Sequence, residues 1–222
     1  MSRLNQFFGS SIGKKFVMAI TGILLIFFLI VHLINNLMLF GGPEFFNENV
    51  MRLDSIKPLI RVVEVVLALI FLYHIYRGIK LWFENKKANP DKYAINGGKE
   101  NSTLYSRTMF ITGILILVFL VIHLYTLWTK FNFGMEGSED YFAVIKDLFK
   151  NPFWSAFYLV IMIFIGFHIN HAFQSSFQSF GWSHKKYTPL VKKIGTLLAI
   201  VFAIGFASIP IYFYLISLGG QG

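Results

Sequence analysis

Five stretches of this chain stay apolar for about 20 residues or more, long enough to cross the ~30 Å hydrocarbon layer of a bilayer as helices. That feature makes the chain a polytopic membrane protein and leaves only the number of spans to settle. Composition agrees: 55% of residues are hydrophobic, 14% are charged and the mean hydropathy is +0.60, where a soluble domain is about a quarter charged. The pattern predicts an all-α membrane protein, one domain over residues 1–222, with helices at about 15–40, 58–83, 107–130, 152–180 and 188–217. The first apolar segment is full-length and lacks a small-residue cleavage site, so it reads as a retained span and not as a leader.

The breaks between spans are chemically ordinary. "GGPEFFNEN" follows the first helix, and "ENKKANPDKYAINGGKENS" (84–102) separates the second from the third. Pro58 and Pro152 fall near the starts of the second and fourth, where a missing N–H is tolerated. Pro210 falls inside the fifth helix and is expected to bend it.

Charge sets the expected orientation. With the N-terminus inside, the inner segments carry fourteen Lys and Arg against three Asp and Glu, and the outer segments carry six against eight. The positive-inside rule then places the N-terminus in the cytoplasm and the C-terminus outside. The net charge of +9 is accounted for by topology and anionic lipid, with no need for nucleic acid. The absence of cysteine excludes disulfides, covalent haem attachment and any iron–sulfur cluster held by this chain.

Two stretches are nearly the same sentence written twice: "TGILLIFFLIVHL" (21–33) and "TGILILVFLVIHL" (112–124), identical at eight of thirteen positions, each with a histidine ten residues after a glycine. Of six histidines, His184 lies in the loop "GWSHKKY" and reads as a solvated residue. The other five are intramembrane, where ionisable groups face a bundle interior or a cofactor. His32 and His123 fall late in outward-running helices. His74 and His168 fall late in inward-running ones, each sixteen residues after a proline, Pro58 and Pro152. At ~1.5 Å per residue the two layers lie roughly 16 Å apart. Two imidazoles facing each other at one depth, twice over, is what two bis-histidine b-type haems require, and such ligation leaves iron no open position, which suits electron transfer. Helix–helix hydrogen bonding is the plainer alternative for a membrane histidine. His171, three residues after His168, is a rival ligand or a neighbour on the propionate side.

Other polar residues take positions relative to these layers. Gly22 and Gly113 lie at the depth of the inner layer, and Gly78 and Gly166 beside its ligands; each leaves room for a macrocycle or for a close helix contact. Glu64 lies ten residues outward of His74 and Arg61 precedes it by three, so the two can form an ion pair or serve proton and quinone chemistry beside the outer haem. Arg77 and Lys80 stand one and two turns inward of His74, as propionate partners or as membrane anchors. Asn35 and Asn36 follow the turn of His32 and face the outer haem's polar edge.

"SSIGKKFVMAITGILLIFFLIVHLINNL" (10–37), "RVVEVVLALIFLYHIYRG" (61–78) and "GFHINHAFQSSFQSFGW" (166–182) resemble the di-haem cytochrome b membrane anchor of succinate dehydrogenase/fumarate reductase. The likeness is to the single-subunit, five-helix kind found in bacteria, and it covers essentially the whole chain. It implies a four-helix haem-binding bundle from helices one to four, a distal haem b on His32 and His123, and a proximal haem b on His74 and His168. It also implies a flavoprotein subunit with FAD and an iron–sulfur subunit on the cytoplasmic face of the bacterial inner membrane, with menaquinone as the usual quinone. Some relatives carry a membrane glutamate two residues before the fourth ligand; Gly166 stands there, so that proton route is not carried over. Bis-histidine helices by themselves fit equally the cytochrome b anchor of a hydrogenase or formate dehydrogenase, and a non-haem transporter is the reading from another class.

Overall fold

The computed structural model describes residues 3–88, 103–134 and 140–219. Most of the polar connection between the second and third spans, residues 89–102, lies outside the described residues. The described chain forms eight helices and no strand. They are α1 (Arg3–Gly9), α2 (Ser11–Leu37, prolonged by a 3-10 turn, Met38–Gly41), α3 (Pro43–Asp54), α4 (Lys57–Ala88), α5 (Leu104–Phe133), α6 (Tyr141–Lys150), α7 (Pro152–Ser179) and α8 (Thr188–Leu218). The five of membrane-crossing length, α2, α4, α5, α7 and α8, coincide with the five expected spans to within a few residues at each end. Three short helices, α1, α3 and α6, were not expected.

Local chemistry starts these helices where they start. Ser10 accepts from the Gly13 N–H at 3.0 Å, Thr103 from Ser106 at 3.2 Å, and Asp140 from Ala143 at 3.0 Å, each satisfying an orphan donor of a first turn. Asn151 caps α7 through the Phe153 N–H at 2.9 Å, with Pro152 at the first helical position. The chain enters α3 through Gly42 at φ +90°, a conformation open to glycine. Pro210 is buried inside α8, which stays helical through it.

Four of the long helices form a ring in the order α4, α2, α7, α5, with α8 packed outside against α7 and α2. The diagonal partners are therefore α2 with α5, and α4 with α7. Small residues let α8 approach closely. Gly195, Ala199, Ala203 and Ala207 recur every four residues, and a Cβ on Gly166 of α7 would stand 3.4 Å from both the Ala199 carbonyl and the Ala203 methyl. That settles Gly166 as a helix-contact glycine. Helix α4 is packed most thinly: Leu59, Val62, Val63, Val65, Val66, Leu69 and Leu72 are all exposed. It leans mainly on α2.

We call the end of the bundle that holds the start of α2 the near end, and its opposite the far end. At the near end Lys14 Nζ meets both oxygens of Glu84, at 2.8 and 3.0 Å, joining the start of α2 to the end of α4. At the far end α3 and α6 lie together over the bundle. Asn47 donates to Asp140 Oδ1 at 3.0 Å and accepts from the Phe142 N–H at 2.9 Å, while Phe46, Ile145, Leu148 and Phe149 point into the core. The Asn47 amide and the Ala143 N–H hold the Asp140 carboxyl below its usual range.

Two predictions follow from this packing. Gly166→Leu forces a branched side chain against a backbone carbonyl, and should lower stability in detergent by ~1–3 kcal/mol, read as a fall in thermal midpoint. A carboxyl with a lowered pKa stabilises above its unfolded value of ~3.9 and loses that contribution as pH falls through the lowered folded value. The first-turn amides of α6 should therefore stay protected against hydrogen exchange down to pH 4 and open below it, and Asp140→Ala should open them at every pH.

Candidate functional site

The far ends of α2 and α5 bring His32 and His123 together across the bundle, with ring centroids 5.9 Å apart and planes at 90°. Each ring has an aromatic neighbour one turn earlier on its own helix: Phe28 stacks on His32 at 5.2 Å, and Phe119 leans on His123 at 5.5 Å. These phenylalanines occupy equivalent positions of the repeat. His123 Nδ1 lies 3.3 Å from the Tyr158 hydroxyl of α7, which lies 3.1 Å from Thr126 Oγ1. Thr126 belongs to a five-residue π-turn, Leu124–Trp128, that interrupts α5 directly after the histidine, the kind of local widening that recurs at functional sites. On the other side the Asn36 amide donates to the His32 carbonyl at 2.8 Å and stands 3.4 Å from His32 Nε2.

The other diagonal pair is His74 of α4 and His168 of α7, near enough to interact electrostatically. Here the repeated frame plays a second part. Thr21 Oγ1 is 3.0 Å from His74 Nδ1, and Thr112 Oγ1 is 3.2 Å from His168 Nδ1. The following glycines lie under the same rings: a Cβ on Gly22 would sit 3.6 Å from His74 Cε1, and one on Gly113 would sit 3.5 Å from His168 Cε1. Thr21 precedes His32, and Thr112 precedes His123, by eleven residues, which is about 16 Å of helix. The two pairs thus form two tiers at the separation expected from the spacing.

The remaining candidates divide. Arg77, one turn beyond His74, is 7% exposed and its Nε has no hydrogen-bond partner, an orphaned buried donor that calls for an acid. Lys80 does not join it; it is exposed, and its ammonium lies against Tyr76, 3.4 Å from the hydroxyl. His171 interacts electrostatically with His168 but makes no hydrogen bond among the described residues. Asn35 is half-buried beside Asn36. Gly78 packs on Met18 of α2, a helix contact. His184 is exposed in its turn, where it accepts the Lys186 N–H at 3.2 Å.

Arg61 and Glu64 do form the ion pair, Nη1 to Oε2 at 2.6 Å. The network is larger than the sequence suggested. Trp128 Nε1 donates to the second carboxylate oxygen at 3.0 Å, Arg61 Nη2 donates to Asn132 Oδ1 at 2.5 Å, and the guanidinium lies 5.8 Å over the Trp128 ring. It ties α4 to α5 where those helices touch least.

Sequence reasoning missed Thr21, Thr112, Tyr158 and Thr126. All four are buried: Thr112 is 2% exposed and Tyr158 4%. The signals existed. Both threonines open the repeated frame, and Tyr158 precedes His168 by ten residues, the same offset that singled out Glu64 before His74.

The residues fit a planar metal macrocycle. Two imidazoles on one metal, each bound through a nitrogen at ~2 Å, have ring centres about 6 Å apart, and the far pair stands at that distance. Among the described residues no group of three or more His, Cys, Asp or Glu converges on one point, so each tier offers two protein donors, the number a porphyrin iron still needs. The surroundings are Phe, Leu and Ile, with Arg77 a buried cation one turn beyond His74.

Comparison with known proteins agrees with that geometry. The family described as succinate dehydrogenase/fumarate reductase transmembrane subunit matches this chain over residues 16–96 and 84–208. The succinate dehydrogenase cytochrome b558 subunit of Bacillus subtilis (strain 168) is 26% identical over 180 residues, covering 78% of this chain and 80% of that protein. No solved structure matches. With two tiers of diagonal histidines in a five-span bundle and a family match across most of its length, this chain belongs to the succinate dehydrogenase/fumarate reductase transmembrane subunits.

Proposed function

We propose that the chain is the membrane anchor and electron-transfer subunit of a succinate:quinone oxidoreductase, holding two haem b groups. The observation that carries this reading is the pair of tiers: two sets of two imidazoles, each on diagonal helices, about 16 Å apart along α2 and α5. His32 and His123 would hold the distal haem, and His74 and His168 the proximal one. When bound, the two haems supply a one-electron path across the apolar bundle, between the iron–sulfur subunit and a quinone, menaquinone by the family resemblance.

The chain's own residues give that path its surroundings. Arg77 neutralises the acidic edge of the group in the near tier, with His171 a polar neighbour of the same tier. Asn36 serves the edge of the far tier. Lys80 remains an exposed cation at the membrane surface. Succinate chemistry belongs to partners, a flavoprotein subunit with FAD and an iron–sulfur subunit, docked at the near end. The excess of Lys and Arg there supports a reading in which that end, and the N-terminus, lie in the cytoplasm of a bacterium with the C-terminus across the membrane. At the far end Glu64, buttressed by Arg61 and Trp128, is the acid best placed to exchange protons with quinone.

The reading is tested by haem counts on the purified complex. The wild type should carry two haem b per chain by pyridine haemochrome absorption. Each of His32→Ala, His123→Ala, His74→Ala and His168→Ala should lose one, and His171→Ala should keep both. A featureless visible spectrum, or loss with His171→Ala but not with His168→Ala, overturns the assignment. Glu64→Gln should keep both haems and full electron delivery from succinate to a soluble dye, while quinone reduction falls by about tenfold or more, within the usual range for loss of one acid–base group. Unchanged quinone reduction would leave Glu64 a structural residue.

A further inference from the structure

The hydroxyl groups behind three of the four histidines are not neutral scenery. A hydroxyl has one proton to give. Thr21 Oγ1 lies 3.1 and 3.0 Å from the Val17 and Met18 carbonyls of its own helix, and Thr112 Oγ1 lies 3.0 Å from the Met109 carbonyl. A carbonyl can only accept, so each threonine proton is committed to the backbone. Its oxygen is then left to accept from His74 Nδ1–H at 3.0 Å or His168 Nδ1–H at 3.2 Å. The same bookkeeping closes at the far tier through one more group. Thr126 donates to the Ile122 carbonyl at 2.9 Å, accepts from the Tyr158 hydroxyl at 3.1 Å, and so leaves the Tyr158 oxygen to accept from His123 Nδ1–H at 3.3 Å.

We infer that Thr21, Thr112 and Tyr158 are positioning residues that fix His74, His168 and His123 in the Nδ1–H tautomer, with the lone pair on Nε2, and so set ligand strength tier by tier. This rests on the haem-ligand reading above. The side-chain partners of these three rings all meet Nδ1, and the Met109 carbonyl is a further acceptor for the His168 ring. His32 is the exception. Its Nδ1 has no such brace, and its Nε2 faces the Asn36 amide at 3.4 Å. The near tier is therefore braced on both sides and the far tier on one.

A hydrogen bond accepted from Nδ1–H makes the imidazole a stronger donor and holds its ring in place, and losing such a partner typically weakens metal affinity by about 10–100-fold. Removing the acceptor should make the iron of that tier easier to reduce. The experiment uses the assembled complex with Thr21→Val, Thr112→Val, Tyr158→Phe and the conservative Thr21→Ser. It reads the redox titration of each haem, its low-spin EPR signal, and the rate of haem transfer to excess apomyoglobin.

Thr21→Val and Thr112→Val should each raise the midpoint potential of the near-tier haem alone, move its EPR signal and speed its transfer about tenfold. Tyr158→Phe should do the same to the far-tier haem alone, and Thr21→Ser should restore wild-type behaviour. Should Thr21→Val not accumulate, Thr21→Ala against Thr21→Ser makes the same comparison. If His74→Ala removes one haem while the hydroxyl variants leave potentials, spectra and transfer unchanged, the brace is overturned and the ligand assignment stands. If His74→Ala leaves both haems in place, the ligand assignment falls and the inference with it.

Discussion

Putting an imidazole inside a lipid-embedded bundle creates a debt at its second nitrogen, and the architecture is organised around settling it. A ring nitrogen that binds a metal leaves the other as an N–H, and a buried N–H without a partner costs roughly 2–7 kcal/mol when nothing nearby can accept. Water is scarce at that depth and helix carbonyls are already used. A hydroxyl that has returned its own proton to a carbonyl one turn back is a self-contained acceptor, and it needs nothing from outside its helix. Thr21 and Thr112 follow that arrangement, while Tyr158 of α7 reaches the same end by donating to Thr126 of α5, which returns its proton to the Ile122 carbonyl. Because the acceptor and the ring sit on different helices, each such bond also fixes how far one helix has slid along its neighbour.

Helix α4 shows what this does for packing. Its apolar side chains are spread around the whole circumference and mostly face outward, so ridge-and-groove contact alone does not define its position. Polar ties do so at three depths. Lys14–Glu84 holds the near end, Thr21–His74 the near tier, and the Arg61–Glu64–Trp128–Asn132 network the far end. Elsewhere the balance differs: α7 and α8 meet through glycine and alanine, with Phe202 and Phe213 fully enclosed, and need few polar contacts.

The spans were legible because the hydrophobic criterion is coarse and the segments are long; Ser11–Gly41 and Pro152–Ser179 declare themselves by composition. The histidines were legible because an ionisable residue in such a run has few bland explanations. The hydroxyls were not, since threonine in a membrane helix usually satisfies itself against its own backbone, and nothing in one sequence says which threonine or tyrosine has a ring across the gap. Helices α3 and α6 escaped for a different reason. Segments such as "PEFFNENVMRLD" are short and mixed, and their helical state comes from caps and from packing on each other through Asn47 and Asp140, information that is tertiary. The sequence left Arg77 and Lys80 each as a propionate partner or a membrane anchor, and rotation about the helix decides that Lys80 meets Tyr76 while Arg77 is buried.

The repeat is most informative where it breaks. Three of the four ring-bearing helices also brace a ring on a neighbour: α2 braces His74, α5 braces His168, and α7 braces His123. By symmetry α4 should brace His32 from the position ten residues before its own histidine. That position is Glu64, which is turned instead toward Arg61 and Trp128. A hydroxyl there would have completed the pattern and made the far tier as rigidly held as the near one. A carboxylate there spends its oxygens on Arg61 and Trp128, and His32 keeps Asn36 as its hydrogen-bond partner among the described residues. The fourth corner thus carries the Arg61–Glu64–Trp128 network in place of a brace on His32, while both rings of the near tier keep theirs.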